Sequence, residues 1–340
     1  MTSNLYIVES PLQLLNAIEA KEEFTAKKNI LIVKFSNERR NNYQIEKLLK
    51  ESFWDRIYKI PYIYTTKTQI IYFCFLTRLL VWQKQKFQKI FIGEFRSDEM
   101  WMLLNNVQHI ETFLLDDGSV TIEVQKNYLK EIEKYNSEKS RSKRKYILYN
   151  FFFLKAPKRK VIDLFTMFDL KPHPGQKVIQ NNFKALASKI INIDDHANSN
   201  TVFFIGSNIV ERGIVNDKYF FECIEYIVNF YKANEKNIIY LPHRRENEKK
   251  LLTMKNQFGI EVLYPSDLIE LYFLNKKIWP KHIASFYSTA LYSLKKIYKC
   301  REVDVFKLDF TQLNKEFQSS IDSTYKFYKK YFRLIEIGKK

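Results

Sequence analysis

Five short groups of residues carry side chains that could move protons or hold anions. Asp116 and Asp117 stand side by side at the end of an apolar run, "LLDDGSV", with Gly118 next. Adjacent carboxylates raise one another's pKa, and desolvation at a strand end adds to the effect. One of the pair can then accept a proton from a hydroxyl in a transition state. The competing reading is an Asx turn leading into a helix, although Glu123 lies one residue too far from Ser119 for a capping box. His243 ends "IIYLPH" and is followed by Arg244 and Arg245. Such a trio can bind a phosphate and screen or protonate it as it leaves, or simply open a surface helix. Ser288 and Thr289 lie where "HIASFYSTAL" passes from strand to helix. There hydroxyls and free N–H groups hold an anion or cap the helix. Gly206, Ser207 and Asn208 form a similar glycine-bearing strand-to-helix turn without a full phosphate-loop or dinucleotide fingerprint. Glu9 and Ser10 complete the set of polar strand ends. No metal is expected, because no matching Asp, His and Glu set at ligand spacing accompanies the acidic pair. His109, His173 and His196 read as surface or structural residues.

These groups need elements to hold them. Short β-branched and aromatic runs alternate with stretches of helical period. Strands are expected at Asn4–Val8, Asn29–Phe35, Lys89–Gly93 and Ile110–Leu115, with a helix at Pro11–Phe24 that has proline at its start. The rhythm weakens between about Lys155 and Asn200, where prolines, Gly175 and polar clusters suggest a domain crossing. It restarts with strands at Thr201–Gly206, Asn237–His243, Ile260–Pro265, His282–Ser288 and Val303–Leu308, and ends in an aromatic-rich helical segment, Leu313–Ile337. This is the βαβ rhythm of parallel sheets covered on both faces. The expected fold is α/β, with two Rossmann-like doubly wound domains facing a central cleft and a C-terminal helix. The boundaries expected are residues 1–175 for an acceptor domain, 176–200 for a linker, 201–320 for a donor domain and 321–340 for the helix, packing back on the first domain. Ligands of such sheets bind at the carboxyl ends of the strands.

Composition narrows the class of function. The chain has 340 residues, 46% of them hydrophobic, which suits two domains with real cores. Cys74, Cys223 and Cys300 are far apart and read as reduced thiols. The opening "MTSNLYIVES" lacks a basic stretch, so no secretory leader is expected. Ile70–Trp82 is too short to span a bilayer and holds Arg78; it reads as a buried helix, with an interfacial one as the rival. The 56 basic residues exceed the 38 acidic ones by 18. Such an excess suggests a polyanionic partner. The densest basic run, Lys139–Lys145, fits a solvated loop or a membrane-surface patch. No RNA-binding or helix-turn-helix signature appears, so nucleic acid is not expected.

Taken together, the motifs carry a resemblance. An acidic pair ending a first-half strand, then a histidine and a hydroxyl pair ending second-half strands, resemble the bacterial sialyltransferases and polysialyltransferases of the two-domain GT-B type. Those families carry an acidic-acidic-glycine motif, a histidine-proline motif and a serine/threonine motif. Here the first is Asp116–Asp117–Gly118 and the third Ser288–Thr289, while Tyr6–Ala20 is similar to the opening of the lipooligosaccharide sialyltransferase and polysialyltransferase group. The second motif departs from the pattern: Pro242 precedes His243, reversing the dipeptide, and a true His–Pro occurs in "KPHP" at Lys171–Pro174. Position favours His243.

The resemblance implies an inverting, metal-independent transfer of sialic acid from a CMP-sugar to a hydroxyl of a surface glycan, in lipooligosaccharide or capsule. CMP-sugar is the co-substrate and no cofactor is implied. Asp116 or Asp117 is the base, with Asp117 favoured. His243, Ser288 and Thr289 bind the phosphate, with Gly206, Ser207 and Asn208 on the donor side; Glu270, or Asp267 as its rival, holds the ribose. Ser10, Gln13 and Arg244 stand on the acceptor side or in the cleft. The implied place is the bacterial cytoplasm, at the anionic inner face of the membrane, and a homo-oligomer is compatible with the sequence. Pseudaminic or legionaminic acid, or a hexose nucleotide, are alternative donors. A non-catalytic polyanion or membrane binder is the reading from another class.

Overall fold

The computed structural model describes the chain except residues 1, 51, 63–65, 131, 134–135, 137–142, 191–199 and 339–340, and except the side chains of 66, 143 and 144. The chain divides into two units, Met1–Ala185 and Leu186–Lys340.

In the first unit, apolar runs bounded by polar turns give β1 (Ser3–Val8), α1 (Pro11–Glu23), β2 (Lys28–Lys34), α2 (Arg39–Lys50), β3 (Arg56–Ile60), α3 (Thr66–Trp82), β4 (Lys86–Ile92), α4 (Asp98–Asn106) and β5 (Gln108–Leu115). Then come α5 (Val120–Glu123), continued by a π-helical turn at Val124–Tyr128, α6 (Lys143–Phe151), β6 (Asp163–Thr166), β7 (Val178–Gln180) and α7 (Lys184–Ala187). The strands form one sheet of order β3-β2-β1-β4-β5-β6-β7, and each recorded pairing is parallel. The register sets Tyr6 beside Phe91 and Phe91 beside Phe113. Their rings stack at 4.7 and 5.3 Å across three strands, a cross-strand ladder that locks the register.

The second unit repeats the plan. It contains β8 (Thr201–Ile205), α8 (Asp217–Ala233), β9 (Asn237–Leu241), α9 (Glu248–Phe258), β10 (Glu261–Val262), α10 (Ile269–Asn275), β11 (His282–Ser285), α11 (Ala290–Tyr298), β12 (Glu302–Lys307), α12 (Lys315–Tyr328) and β13 (Arg333–Glu336). Its sheet order is β10-β9-β8-β11-β12-β13, again parallel. Phe204 stacks on its register partner Tyr240 at 5.6 Å. In both sheets the order reverses direction beside the first strand, β1/β4 and β8/β11. That switch point is where a doubly wound sheet opens a crevice at its carboxyl edge.

The structure departs from the sequence reading at several places. The stretch expected as a linker at 176–200 contains β7, and the first unit runs on to Ala185. β6 and β7 escape detection because they are only four and three residues long, and the edge strand β3 because Arg56 and Lys59 break up its apolar run. The expected C-terminal helix at 321–340 stops at Tyr328, and β13 follows as the sixth strand of the second sheet. Within this unit Leu308 N–H donates to Tyr325 Oη at 3.1 Å, and Tyr328 donates to Ser288 O at 3.0 Å. The Gly206–Asn208 turn does not open a helix directly, since α8 begins only at Asp217, capped by Asn216. Cys74, Cys223 and Cys300 are buried and unpaired. Most of the basic run at Lys139–Lys145 lies outside the described residues, as does His196 with Asp194 and Asp195. Lys145 itself pairs with Asp98 and Glu99. Among the described residues no helix is long and apolar enough to cross a membrane.

Candidate functional site

In the first unit the polar strand ends gather at the switch point. β5 delivers Asp116 and Asp117 to the carboxyl edge, and Gly118 turns the chain with φ +65°, a left-handed conformation that favours glycine. The two aspartates then diverge. Asp116 is fully buried: Thr166 Oγ1 and the Met167 N–H each donate to its carboxylate at 2.6 Å. Its carbonyl accepts from Asn16 Nδ2 at 3.2 Å. It therefore ties β5 to β6 and α1. Asp117 instead turns toward α1, where Ser10 Oγ donates to its Oδ1 at 3.3 Å.

The surroundings of Asp117 suit a proton acceptor. By exposed area it is only half-buried, yet protein atoms crowd its carboxyl. Desolvation pushes this carboxyl up to about 6; the Glu94 and Glu9 carboxylates add to the rise, against a hydrogen bond from Gln13 and the charge of Arg96. Glu94 is buried and clamps Arg96 through both guanidinium and backbone, at 2.7–2.9 Å. Glu9 is paired with Lys34 at 2.9 Å. Ser10 has two tasks, because its Oγ also accepts the Gln13 N–H and so caps α1. Gln13 Oε1 accepts the Glu9 N–H at 2.8 Å. It lies where a side chain on Gly93 would sit: a Cβ there would be 2.1 Å from Gln13 Oε1. A glycine at the end of β4 is thus the condition for Gln13 to reach the site.

The second unit uses the same device. A Cβ on Gly206 would lie 2.2 Å from Glu246 Oε1 and 2.8 Å from Tyr240 Oη. Glu246 fills that space with its side chain wholly out of solvent. It accepts the His243 N–H at 2.7 Å and the Tyr240 hydroxyl at 2.8 Å, and pairs with Lys250 at 2.9 Å. Burial pushes its carboxyl up, against the pull of Lys250 and these donors. The turn after β9 is thereby fixed, and Arg245 N–H donates to His243 Nδ1 at 3.2 Å. In a neutral ring that contact leaves the proton on Nε2. The rival histidine, His173, belongs to the first unit and is bonded to the Gln125 carbonyl at 2.8 Å.

Ser288 and Thr289 precede α11 at the carboxyl end of β11, both half-buried. Ser288 Oγ accepts the Ala290 N–H at 3.3 Å, whereas the Thr289 hydroxyl makes no cap bond. Ser207 is buried beside β8. Glu270, on α10, is 2% exposed. Its Oε1 accepts from Ser293 Oγ at 2.5 Å, while its Oε2 has no hydrogen-bond partner among the described residues. Burial pushes its carboxyl up. An unanswered oxygen on a buried carboxylate is costly unless something donates to it. Asp267, its rival, accepts from Asn275 at 2.9 Å. Arg244, half-buried beside His243, belongs to the second unit. Among the described residues no group of three or more His, Cys, Asp or Glu side chains is arranged to hold a metal ion.

The residues that sequence reasoning missed are Glu94, Arg96 and Glu246. The signals were present: "GEFR" follows β4, and Glu246 falls three residues after His243. Glu94 and Glu246 look like ordinary surface charges until the fold takes their side chains out of solvent, and Arg96, itself exposed, is held in place by Glu94.

Comparison with known proteins agrees with this plan. The family described as Alpha-2,8-polysialyltransferase (POLYST) matches residues 4–307. Among curated proteins none matches this sequence. Among solved structures the chain is similar to an alpha/beta-galactoside alpha-2,3-sialyltransferase from a luminous marine bacterium, Photobacterium phosphoreum, with TM-score 0.52, 11% identity and 98% of each chain covered. It is similar too to the UDP-GlcNAc 2-epimerase of Methanocaldococcus jannaschii, with TM-score 0.53, 13% identity, 99% of this chain and 89% of the other covered. For the UDP-GlcNAc 2-epimerase of Neisseria meningitidis bound to UDP-GlcNAc the values are 0.51, 10%, 97% and 92%. At such identities the likeness establishes the fold alone: the two Rossmann-like, parallel-sheet domains of GT-B glycosyltransferases and these epimerases.

Proposed function

The chain belongs to the alpha-2,8-polysialyltransferase family and is a sialyltransferase-like glycosyltransferase, and from that premise we propose an inverting, metal-independent transfer of sialic acid or a related nonulosonic acid. The donor is the CMP-sugar and the acceptor a hydroxyl of a bacterial surface glycan, worked on at the cytoplasmic face of the membrane.

The observation that carries this reading is the contrast within the acidic pair. Asp116 is committed to Thr166 and Met167. Asp117, held at about 6, is ionised at neutral pH yet basic enough to accept a proton. In the reaction Asp117 takes the proton of the acceptor hydroxyl. The hydroxyl oxygen forms the new bond to the anomeric carbon, the bond from that carbon to the phosphate oxygen breaks, and CMP departs with the electron pair. The phosphate gains one negative charge as it leaves. His243 Nε2–H and the hydroxyls of Ser288 and Thr289 are donors suited to that charge, and preorganised donors contribute most where charge develops. A monophosphate can be met in this way by protein groups without a metal. Glu270 Oε2, buried and without a hydrogen-bond partner among the described residues, suits a ribose hydroxyl. Gln13 and Ser10 orient Asp117, and Gly206 leaves room for the acid beneath His243.

The test uses the full chain with a panel of CMP- and UDP-sugars. Asp117→Asn is expected to abolish transfer while calorimetry still registers CMP binding. Full turnover by Asp117→Asn, or binding of UDP-sugars in preference to CMP-sugars, would overturn the reading.

A further inference from the structure

One flank of the first unit is apolar where water should be. α3 is largely hydrophobic around its circumference, so a single buried face cannot cover it. Phe73, Cys74, Leu76 and Leu80 enter the core. Ile71, Tyr72, Phe75 and Trp82 remain in solvent, Trp82 at 75% exposure. The neighbouring α6 adds Ile147, Phe151 and the following Phe153, the last at 82%. Arg78 of α3 lies 5.8 Å from the Phe153 ring, which joins the two helices into one surface. Half of the exposed large hydrophobic side chains of the described chain fall here, seven of fourteen. The expectation that Ile70–Trp82 is simply buried therefore fails for one face of the helix.

Charge says what covers this face. From Arg56 to Gly93 the sequence holds seven basic residues and no acidic one, and from Lys143 to Ile162 again seven and none. Lys67, Arg78, Lys84, Lys86 and Lys155 are exposed. A second copy of this chain would bring the same positive surface and be repelled. We propose that the α3–α6 face is a docking surface for an anionic lipid bilayer. Its aromatic side chains enter the interfacial region and its lysines and arginines meet the headgroups. No span is involved, since neither helix is long and apolar enough to cross. α3 begins near Phe35, whose carbonyl accepts from Gln69 at 2.6 Å just past the end of β2. It therefore starts at the edge of the sheet that carries Asp117, and the lipid face runs back from that edge. The assignment deepens the proposed function, on which its purpose rests: it would hold the enzyme where a lipid-anchored acceptor grows.

The experiment is co-sedimentation of the full chain with phosphatidylglycerol–phosphatidylcholine vesicles and with phosphatidylcholine alone. Binding to the anionic vesicles is expected, weakened by salt. The triple variant Phe75→Ser, Trp82→Ser, Phe151→Ser is expected to lose affinity by about tenfold or more, while keeping its melting temperature and its transfer to a soluble acceptor. Equal binding by the triple variant, no preference for anionic vesicles, or a wild-type dimer that the triple variant abolishes in sedimentation equilibrium would each overturn the proposal. Vesicle binding without any sugar transfer leaves this surface standing and breaks the enzymatic reading; transfer without vesicle binding does the reverse.

Discussion

Asp117, just past β5 in the first unit, and Asp304, on β12 in the second, are both aspartates whose carboxyls are crowded by protein atoms, yet their environments push them in opposite directions. Asp304 lies on β12 near the amino edge of its sheet and is 1% exposed. It accepts from Tyr231 Oη at 2.8 Å, His282 Nε2 at 2.7 Å, and Arg333 Nε and Nη2 at 2.7 and 2.8 Å. Burial alone would push its carboxyl up; these donors outweigh it and hold it at about 2. Asp117 has a 3.3 Å contact from Ser10 and two carboxylates nearby, and stands at about 6. At about 1.4 kcal/mol per pKa unit, each environment is worth roughly 2–3 kcal/mol, with opposite signs for the ionised form. The satisfied cluster holds a sheet together. The other, with donors only from Ser10 and Gln13 against desolvation and two carboxylates, keeps a carboxylate ready to exchange a proton, at a cost in stability that the rest of the fold absorbs.

The sharpest way to break this comparison is to neutralise both carboxylates. Asp117→Asn should lower transfer by at least about a hundredfold and leave the fold intact, measured as turnover alongside thermal melting. Asp304→Asn should do the opposite: a loss of roughly 2–3 kcal/mol in urea unfolding, with turnover per folded molecule unchanged. If Asp304→Asn removed activity without destabilising, the division between the two regions would be wrong.

Proton linkage gives a finer test. Asp304 has a lowered pKa, so its contribution is present above the unfolded value of 3.8 and is lost as pH falls through about 2. Asp117 has a raised pKa, so its contribution is present below 3.8 and is lost as pH rises through about 6. Between these last two values the wild type should lose stability relative to Asp117→Asn as pH increases, while its transfer rate rises over the limb near 6. A pH-independent difference between the two proteins would remove the assignment.

Smaller effects are expected on the donor side. His243→Ala should lower kcat by about a hundredfold, in line with loss of one preorganised donor, with little change in melting temperature. Thr289→Val should weaken CMP binding about fivefold, the scale of one hydrogen bond, read by titration calorimetry.

Much of the frame was legible from residues alone. The strands that carry the site are long apolar runs, and the glycine after the acidic pair does take a left-handed turn. The division of labour within that pair was not legible. Neighbours along a strand end leave in different directions, and only the placement of Thr166 and Ser10 decides which carboxylate is engaged. β13 escaped because its sequence, "RLIE", joins a sheet edge chiefly through pairing and through Arg333 reaching Asp304. Glu246 escaped because a glutamate in "HRRENE" reads as solvated; its burial depends on a glycine forty residues earlier in the chain (246 − 206).

That last dependence has an evolutionary consequence. Gly93 with Gln13 and Gly206 with Glu246 are interlocked pairs, in which one residue's missing atom is the other's seat. An alanine at either glycine would push the partner's side chain out of that seat, so shortening the long side chain first is the less disruptive order of change. Each pair is thus expected to tolerate change as a unit rather than one residue at a time.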